Sequence, residues 1–199
     1  MKKKGFTLVE LMMVIAILAV LLGIITTAAM ASIRKARERR TQASKLTLQN
    51  GIAAYKASRK HEWPGRIEDW ASEANHNGKF GYLSNGDYDK VVQELLKVSA
   101  GKGAKNRVLD PVGLLVMNAS NQDGSRSSVD YRSAATKKGK YGKRMSAREM
   151  TVVYQDAGSG RAYRFVIEYN TESDEVTVMT QGEYNGKYNP NWNGGEKWW

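Results

Sequence analysis

The stretch that decides the fold lies at the N-terminus: KKKGFTLVE at residues 2–10, followed by 23 residues without a charge from Leu11 to Ile33. As an α-helix, which rises about 1.5 Å per residue, this run is about 34 Å long and can cross a hydrocarbon core of about 30 Å. Lys2, Lys3 and Lys4 are expected to stay in the cytoplasm by the positive-inside rule. That orientation places the C-terminal bulk of the chain across the membrane.

Glu10, at the start of the apolar run, distinguishes three interpretations of this segment. A cleaved secretory signal would use a small-residue site at Ala29-Met30-Ala31, but the run is longer than the usual apolar region of about 7 to 15 residues. A plain membrane anchor leaves the carboxylate unexplained, because a charge within a spanning helix is costly and normally marks a partner or a function.

The third interpretation rests on a resemblance: residues 2–10 closely resemble the processing motif of type IV pilins and type II secretion pseudopilins. The resemblance implies that a prepilin peptidase cuts after Gly5, removes residues 1–5 as a leader peptide and methylates Phe6. It also implies that Glu10 pairs with the N-terminal amine of a neighbouring subunit. In an apolar helix bundle an unpaired carboxylate and an unpaired ammonium are each costly, so their meeting removes both penalties. We favour this interpretation.

One position departs from that family. Many members carry a proline partway down the membrane helix, whereas Thr26 and Thr27 occupy the corresponding region here. Because a proline would kink the helix, its absence predicts a straighter one.

Beyond Ile33 the chain becomes charged, but no proline or strong breaker occurs before Trp63-Pro64. One helix is therefore predicted to about Lys60, with residues 6–33 as its membrane and polymerisation half and residues 34–60 as its amphipathic half. Helical spacing gives the second half two apolar stripes, a bulky one (Leu48, Ile52, Tyr55) and a smaller one (Ala43, Leu46, Ala53, Ala57). We expect the bulky stripe to pack on the head and the smaller one to meet neighbouring subunits, unless its alanines merely serve helix propensity.

A basic cluster follows the membrane run directly, from Arg34 to Arg40. A charge run of this kind is usually a solvated helix face. The alternative is contact with acidic groups of adjacent subunits or with lipid headgroups.

Residues 61–199 are predicted to form one globular head. A short helical piece is expected from Ile67 to Ala74, and a longer helix through Val91 to Val98, capped by Asp87 or Asp89 and stopped by Gly101-Lys102-Gly103. Four segments rich in β-branched and aromatic residues predict strands, and the turns between the last three suggest an antiparallel meander: Leu114–Met117, Met150–Gln155, Tyr163–Tyr169 and Glu175–Met179.

A long helix on a small antiparallel sheet is an α+β, pilin-like fold. Parts of the head look like G-type pseudopilin heads, namely Tyr55 followed by Trp63-Pro64, and residues 106–117 and 156–163. From these looser likenesses we carry over the fold and no functional residue.

Few residues suit catalysis or metal binding. The chain has no cysteine, which excludes disulfides and thiolate metal sites, and its two histidines, His61 and His76, show no paired spacing. The tail after Thr180 holds only Glu183 and Glu196 as acidic residues, too few for the clustered oxygen ligands of a calcium site. Since no nucleophile elbow or phosphate-binding loop occurs either, we predict a protein that is not an enzyme and has no cofactor or metal.

Two head features are candidates for binding. A basic stretch, interleaved with Tyr131 and Tyr141, could bind DNA or an anionic glycan or could be a polar loop: Arg126, Arg132, Lys137, Lys138, Lys140, Lys143, Arg144 and Arg148. The tail carries aromatic residues that either cover the sheet or form a patch for a partner: Tyr184, Tyr188, Trp192, Trp198 and Trp199.

The leading prediction is a non-catalytic fibre subunit of the bacterial inner membrane, single-pass, with its head outside the cytoplasm and periplasmic or extracellular once assembled. Its expected partners are the prepilin peptidase, other subunits and an inner-membrane assembly platform. The alternative is a pilin-like surface protein whose basic stretch captures nucleic acid, glycans or a host surface.

Overall fold

In the computed structural model of the protein, residues 7–59, 63–64, 74–75, 80–100, 108–136, 145–170 and 172–188 are described. The helices are α1 (Leu8–Ser58), α2 (Asn85–Ala100), α3 (Tyr131–Thr136) and α4 (Gln181–Tyr188). The strands are β1 (Ala74–Asn75), β2 (Phe80–Tyr82), β3 (Leu115–Asn118), β4 (Val129–Asp130), β5 (Met150–Gln155), β6 (Ala162–Tyr163), β7 (Val166–Asn170) and β8 (Glu175–Met179). A long N-terminal helix with antiparallel sheets confirms the α+β, pilin-like architecture.

Helix α1 is a single helix of 51 residues that ends two residues before the predicted Lys60. The hydroxyls in its apolar half bond back to the helix itself: Thr26 donates to the Leu22 carbonyl at 2.6 Å and Thr27 to the Ile24 carbonyl at 2.9 Å. The helix therefore carries these polar groups without an unsatisfied donor.

Part of the hydrophobic core forms where α1 packs on the head. Leu48 and Ile52 are completely buried and Tyr55 nearly so, as predicted for the bulky stripe. Gly51 lies on the same side of the helix, and a Cβ there would come within 2.8 Å of Leu109 Cδ1. The glycine thus allows the segment before β3 to approach the helix closely. The residues of the smaller stripe, Ala43, Leu46, Ala53 and Ala57, are all exposed.

The strands form two four-stranded sheets with all pairs antiparallel, one in the order β1-β2-β7-β8 and one in the order β4-β3-β5-β6. Strands β5 and β8 have the predicted bounds, and β3 is shifted by one residue. The predicted single strand Tyr163–Tyr169 and the simple meander are wrong. That segment is divided into β6 and β7, which belong to different sheets.

The break falls at Arg164, whose side chain is only 6% exposed. Its Nε and Nη2 donate to the two carboxylate oxygens of Asp89 at 2.9 Å each, and its Nη1 donates to Asp123 Oδ1 at 3.0 Å. The remaining donors reach the carbonyls of Asn121 and Ala119 at 3.2 and 2.7 Å. All five N–H groups of the guanidinium are used. This network joins α2, the loop after β3 and the β6–β7 junction, where the chain leaves strand geometry.

Two further expectations for the head differ from the structure. Helix α2 is capped by Ser84, whose Oγ accepts from the Asp87 amide at 3.3 Å and donates to Asp87 Oδ2 at 3.0 Å. The predicted caps Asp87 and Asp89 therefore lie inside the helix, the latter bound to Arg164. Ala74, expected in a short helix, begins β1, whereas residues 67–73 and 101–103 lie outside the described residues.

Replacement of Arg164 by methionine should destabilise the head strongly. The change leaves Asp89 and Asp123 without their cation, and breaking a buried ion pair on one side costs about 3–5 kcal/mol. Denaturant unfolding of the full chain in detergent micelles measures the loss. Arg148→Met removes an exposed arginine and should shift stability by less than about 0.5 kcal/mol. Equal effects of the two changes would contradict a stabilising role for the Arg164 network.

Candidate functional site

The first turn of α1 holds Glu10 in a capping box. Thr7 is the N-cap: its Oγ1 accepts from the Glu10 amide at 3.3 Å, and Glu10 Oε2 accepts from the Thr7 amide at 2.9 Å and from Thr7 Oγ1 at 2.8 Å. Oε1 of Glu10 makes no hydrogen bond with any described residue. The arrangement fixes the carboxylate at the helix start through Oε2. The spacing T-x-x-E at residues 7–10 is a sequence signature of this box.

The apolar half of α1 extends away from the head. Its side chains from Leu8 to Ile33 are exposed, and α1 is the one helix of the described chain that is long and apolar enough to cross a membrane. Such a large exposed apolar surface requires lipid or protein around it.

Two arginines of the basic cluster attach the head to α1. Arg37 Nη1 donates to the Ala157 carbonyl at 3.2 Å, and Arg40 Nε donates to the Gly113 carbonyl at 3.1 Å while Nη2 pairs with Asp130. Neither expectation for the cluster, a solvated face or an intermolecular contact, describes these two residues. Ala157 and Gly113 lie in loops of the second sheet, and Asp130 lies in its strand β4.

Lysines of α1 continue the attachment farther along the helix. Lys45 Nζ lies 2.7 Å from both carboxylate oxygens of Glu183 at the start of α4. Lys56 is buried, pairs with Asp174 and stands 4.6 Å from the ring centre of Trp63. The side chains of α1 therefore contact the head at several positions along the helix.

The described part of the aromatic tail lies on the first sheet. Tyr184 in α4 contacts Tyr82 of β2 and Tyr188, with ring centres 5.6 and 5.0 Å apart. Burial raises the pKa of Tyr184 to about 12. Lys187 reaches the buried Glu168 of β7 at 2.7 Å. These contacts fit the sheet-covering interpretation, while Trp192, Trp198 and Trp199 lie outside the described residues.

The structure separates the described members of the basic stretch. Arg126, Arg132 and Arg148 are exposed, but Arg126 follows Ser125, which bridges to Ala162 of β6, whereas Arg132 follows β4 at the opposite edge of the same sheet. Tyr131 packs against the core, and burial raises its pKa. The other members (Lys137, Lys138, Lys140, Lys143, Arg144 and Tyr141) lie outside the described residues, as do Gly5, Phe6, His61 and His76.

A groove with a volume of about 910 Å³ open to solvent is lined by Asp89, Asp123, Asn121 and Arg164. Burial raises the pKa of Asp123, although the Arg164 charge opposes the shift. Both carboxylates are already bound to the guanidinium. Among the described residues, no three acidic, histidine or cysteine side chains are grouped to hold a metal.

Comparison with protein families identifies the N-terminal segment. Residues 1–26 match the prokaryotic N-terminal methylation motif, the signature of type IV pilins and pseudopilins. The N-terminal segment therefore carries the signature of a pilin-like precursor. This match covers residues 1–5 and most of the apolar half of α1, and it implies processing by a prepilin peptidase and pilin-type polymerisation. Searches of curated proteins and of solved structures found no significant match.

Acid should weaken the contact between α1 and α4. Burial raises the pKa of Glu183, but hydrogen bonds from Lys45 and the Thr180 amide outweigh it and lower that pKa below the usual 4.5. A carboxyl with a lowered folded-state pKa stabilises the fold above its unfolded pKa, and this stabilisation is lost as pH falls through the folded value.

Glu183→Gln should therefore lower the free energy of unfolding slightly at pH 7, by less than about 1 kcal/mol because the pair is partly exposed, and by less than that at pH 3. Thermal unfolding in micelles by circular dichroism measures both. Glu175→Gln, at an exposed carboxylate of β8, should follow the wild-type pH dependence. A Glu183→Gln deficit that is the same at both pH values would refute the assignment.

Proposed function

We propose that the chain is a non-catalytic structural subunit of a type II secretion pseudopilus or a type IV pilus-like fibre. Cleavage after Gly5 removes residues 1–5, and Phe6 becomes the methylated N-terminus. The mature subunit waits in the inner membrane with its head outside the cytoplasm until an assembly platform polymerises it. The observation that carries this proposal is the methylation motif at the start of one unbroken helix whose apolar half is bare.

The exposed apolar half of α1 supports polymerisation, because its surface must be shielded from water both before and after assembly. In the membrane, lipid covers it, and the helix satisfies its own backbone groups. In a fibre outside the membrane, only neighbouring helices can replace lipid. The exposed small residues Ala43, Ala53 and Ala57 continue this contact surface along α1, since small side chains let helices approach closely.

Glu10 supplies the register. Its Oε2 is held by Thr7, and its Oε1 makes no hydrogen bond with a described residue. The Phe6 amine of an adjacent subunit is a cation of the right chemistry, and pairing relieves the cost of both charges in an apolar bundle. The capping box keeps the carboxylate oriented before the partner arrives.

Processing is tested by intact mass and N-terminal sequencing of the membrane-extracted protein expressed with its peptidase. The wild-type chain should begin at methylated Phe6, and Gly5→Ala should retain residues 1–5. Gly23→Ala is the matched control, because a Cβ at Gly23 meets nothing within 4 Å, and it should be processed normally. A wild-type chain that begins at Met1 or Ser32 would instead indicate a plain anchor or a secreted protein.

Assembly is tested with Glu10→Gln, which keeps the size of the side chain and removes its charge. The variant should be cleaved normally but should yield at least about tenfold less sheared fibre, because removing one partner of a buried ion pair costs about 3–5 kcal/mol. Glu38→Gln, at an exposed residue of α1 beyond the membrane half, should assemble as wild type. Normal fibre yield from Glu10→Gln would exclude the pairing.

A further inference from the structure

A band of basic side chains surrounds α1 where it leaves the apolar half. We define the basic band as Arg34, Lys35, Arg39, Arg126 and Arg161, all exposed. We propose that it binds the phosphate groups of anionic phospholipids and so sets the depth of the subunit in the membrane before assembly. The inference rests on the proposed function, because it requires α1 to span a bilayer.

The helix places its part of the band at the depth of lipid phosphates. With a rise of about 1.5 Å per residue, Arg34 to Arg39 lie about 2 to 9 Å beyond Ile33 along the axis. The headgroup layer of each leaflet is about 5–8 Å thick, taking a bilayer of about 40–45 Å with a core of about 30 Å. Long basic side chains at this position reach the phosphates while their stems contact acyl chains.

The head contributes the remaining two members at the same height. Arg37 donates to the Ala157 carbonyl and lies against Gly160, where an added Cβ would meet its guanidinium at 2.9 Å. Arg161 is the next residue. Ser125 bridges to Ala162, so Arg126 lies beside that turn. The lower edge of the head is thus level with the band on α1.

Most of this positive charge is not neutralised by the described residues. Among the described residues, Arg40 alone of the basic cluster forms an ion pair, with Asp130. Acidic residues described near the band include Glu38, Asp110, Asp130 and Asp156. Asp110 accepts from the Val112 amide, and Asp156 accepts from Ser159.

The position of the band opposes the usual charge bias of a membrane protein. Basic residues that flank a span favour the cytoplasmic side. Removal of residues 1–5 takes away Lys2, Lys3 and Lys4, which leaves the outer flank the more basic one. A positive outer flank therefore benefits from a local anionic partner, and each basic side chain near an anionic lipid surface gains about fivefold in affinity. Arginine also binds phosphate with two parallel hydrogen bonds.

The proposal is tested by native mass spectrometry of the full chain, which measures the lipids that stay bound to it. Each nanodisc holds one copy of the chain in equal amounts of phosphatidylglycerol and phosphatidylcholine. Wild type should retain phosphatidylglycerol preferentially, and the triple variant Arg34→Gln, Lys35→Gln, Arg39→Gln should lose this preference at least about tenfold. The control removes the same amount of charge far from the band, by Arg59→Gln, Lys90→Gln and Lys97→Gln. Of these residues, Arg59 lies about 39 Å along the helix from Ile33. The control should keep the wild-type preference.

Protease protection of the nanodisc sample separates the outcomes. An inserted wild-type chain that retains both lipids equally overturns the lipid proposal and leaves the fibre proposal intact. A chain that does not insert overturns both. If the triple variant keeps the lipid preference but loses cross-links between chains in larger vesicles, the band belongs to a neighbouring subunit, and the lipid proposal is wrong.

Discussion

The structure depends on one constraint: α1 must keep its backbone hydrogen bonds unbroken from the apolar half into the head. In lipid, an unsatisfied peptide group costs several kcal/mol, so the helix cannot be interrupted there. In the head, the same helix supplies Leu48 and Ile52 to the core. Because both halves share one backbone, the rotation of the apolar half determines which way the head faces. The hydroxyls of Thr26 and Thr27 bond within the helix and do not disturb this continuity.

The head is organised by a second interaction, the buried guanidinium of Arg164. The two sheets contribute β5 and β8 to the surface that receives α1. The β6–β7 junction passes between these sheets, and Arg164 there binds both Asp89 and Asp123. Hydrophobic packing alone is non-directional. The fixed geometry of five donors selects one arrangement of α2 and the loop after β3 relative to the sheets.

Local patterns predicted the parts of the fold that local forces determine. The bounds of β5 and β8 and the end of α1 follow from periodicity and turn residues. The division of Tyr163–Tyr169 could not be predicted, because the partners of Arg164 lie 75 and 41 residues away in sequence. The same holds for Arg37, whose partner is 120 residues distant. By contrast, α4 was missed although Thr180 and Glu183 repeat the T-x-x-E spacing that starts α1.

At the candidate site, the motif at residues 2–10 sufficed to predict the family signature, since its chemistry is carried by adjacent residues. The contacts between the head and α1 could be identified only from the tertiary structure. Arg37, Arg40, Lys45 and Lys56 hold the head over about 28 Å of helix. Contacts spread along an axis resist shear in parallel, so a pull on the helix is divided among them. A load applied along α1 would therefore reach the head through several side-chain contacts and not through one.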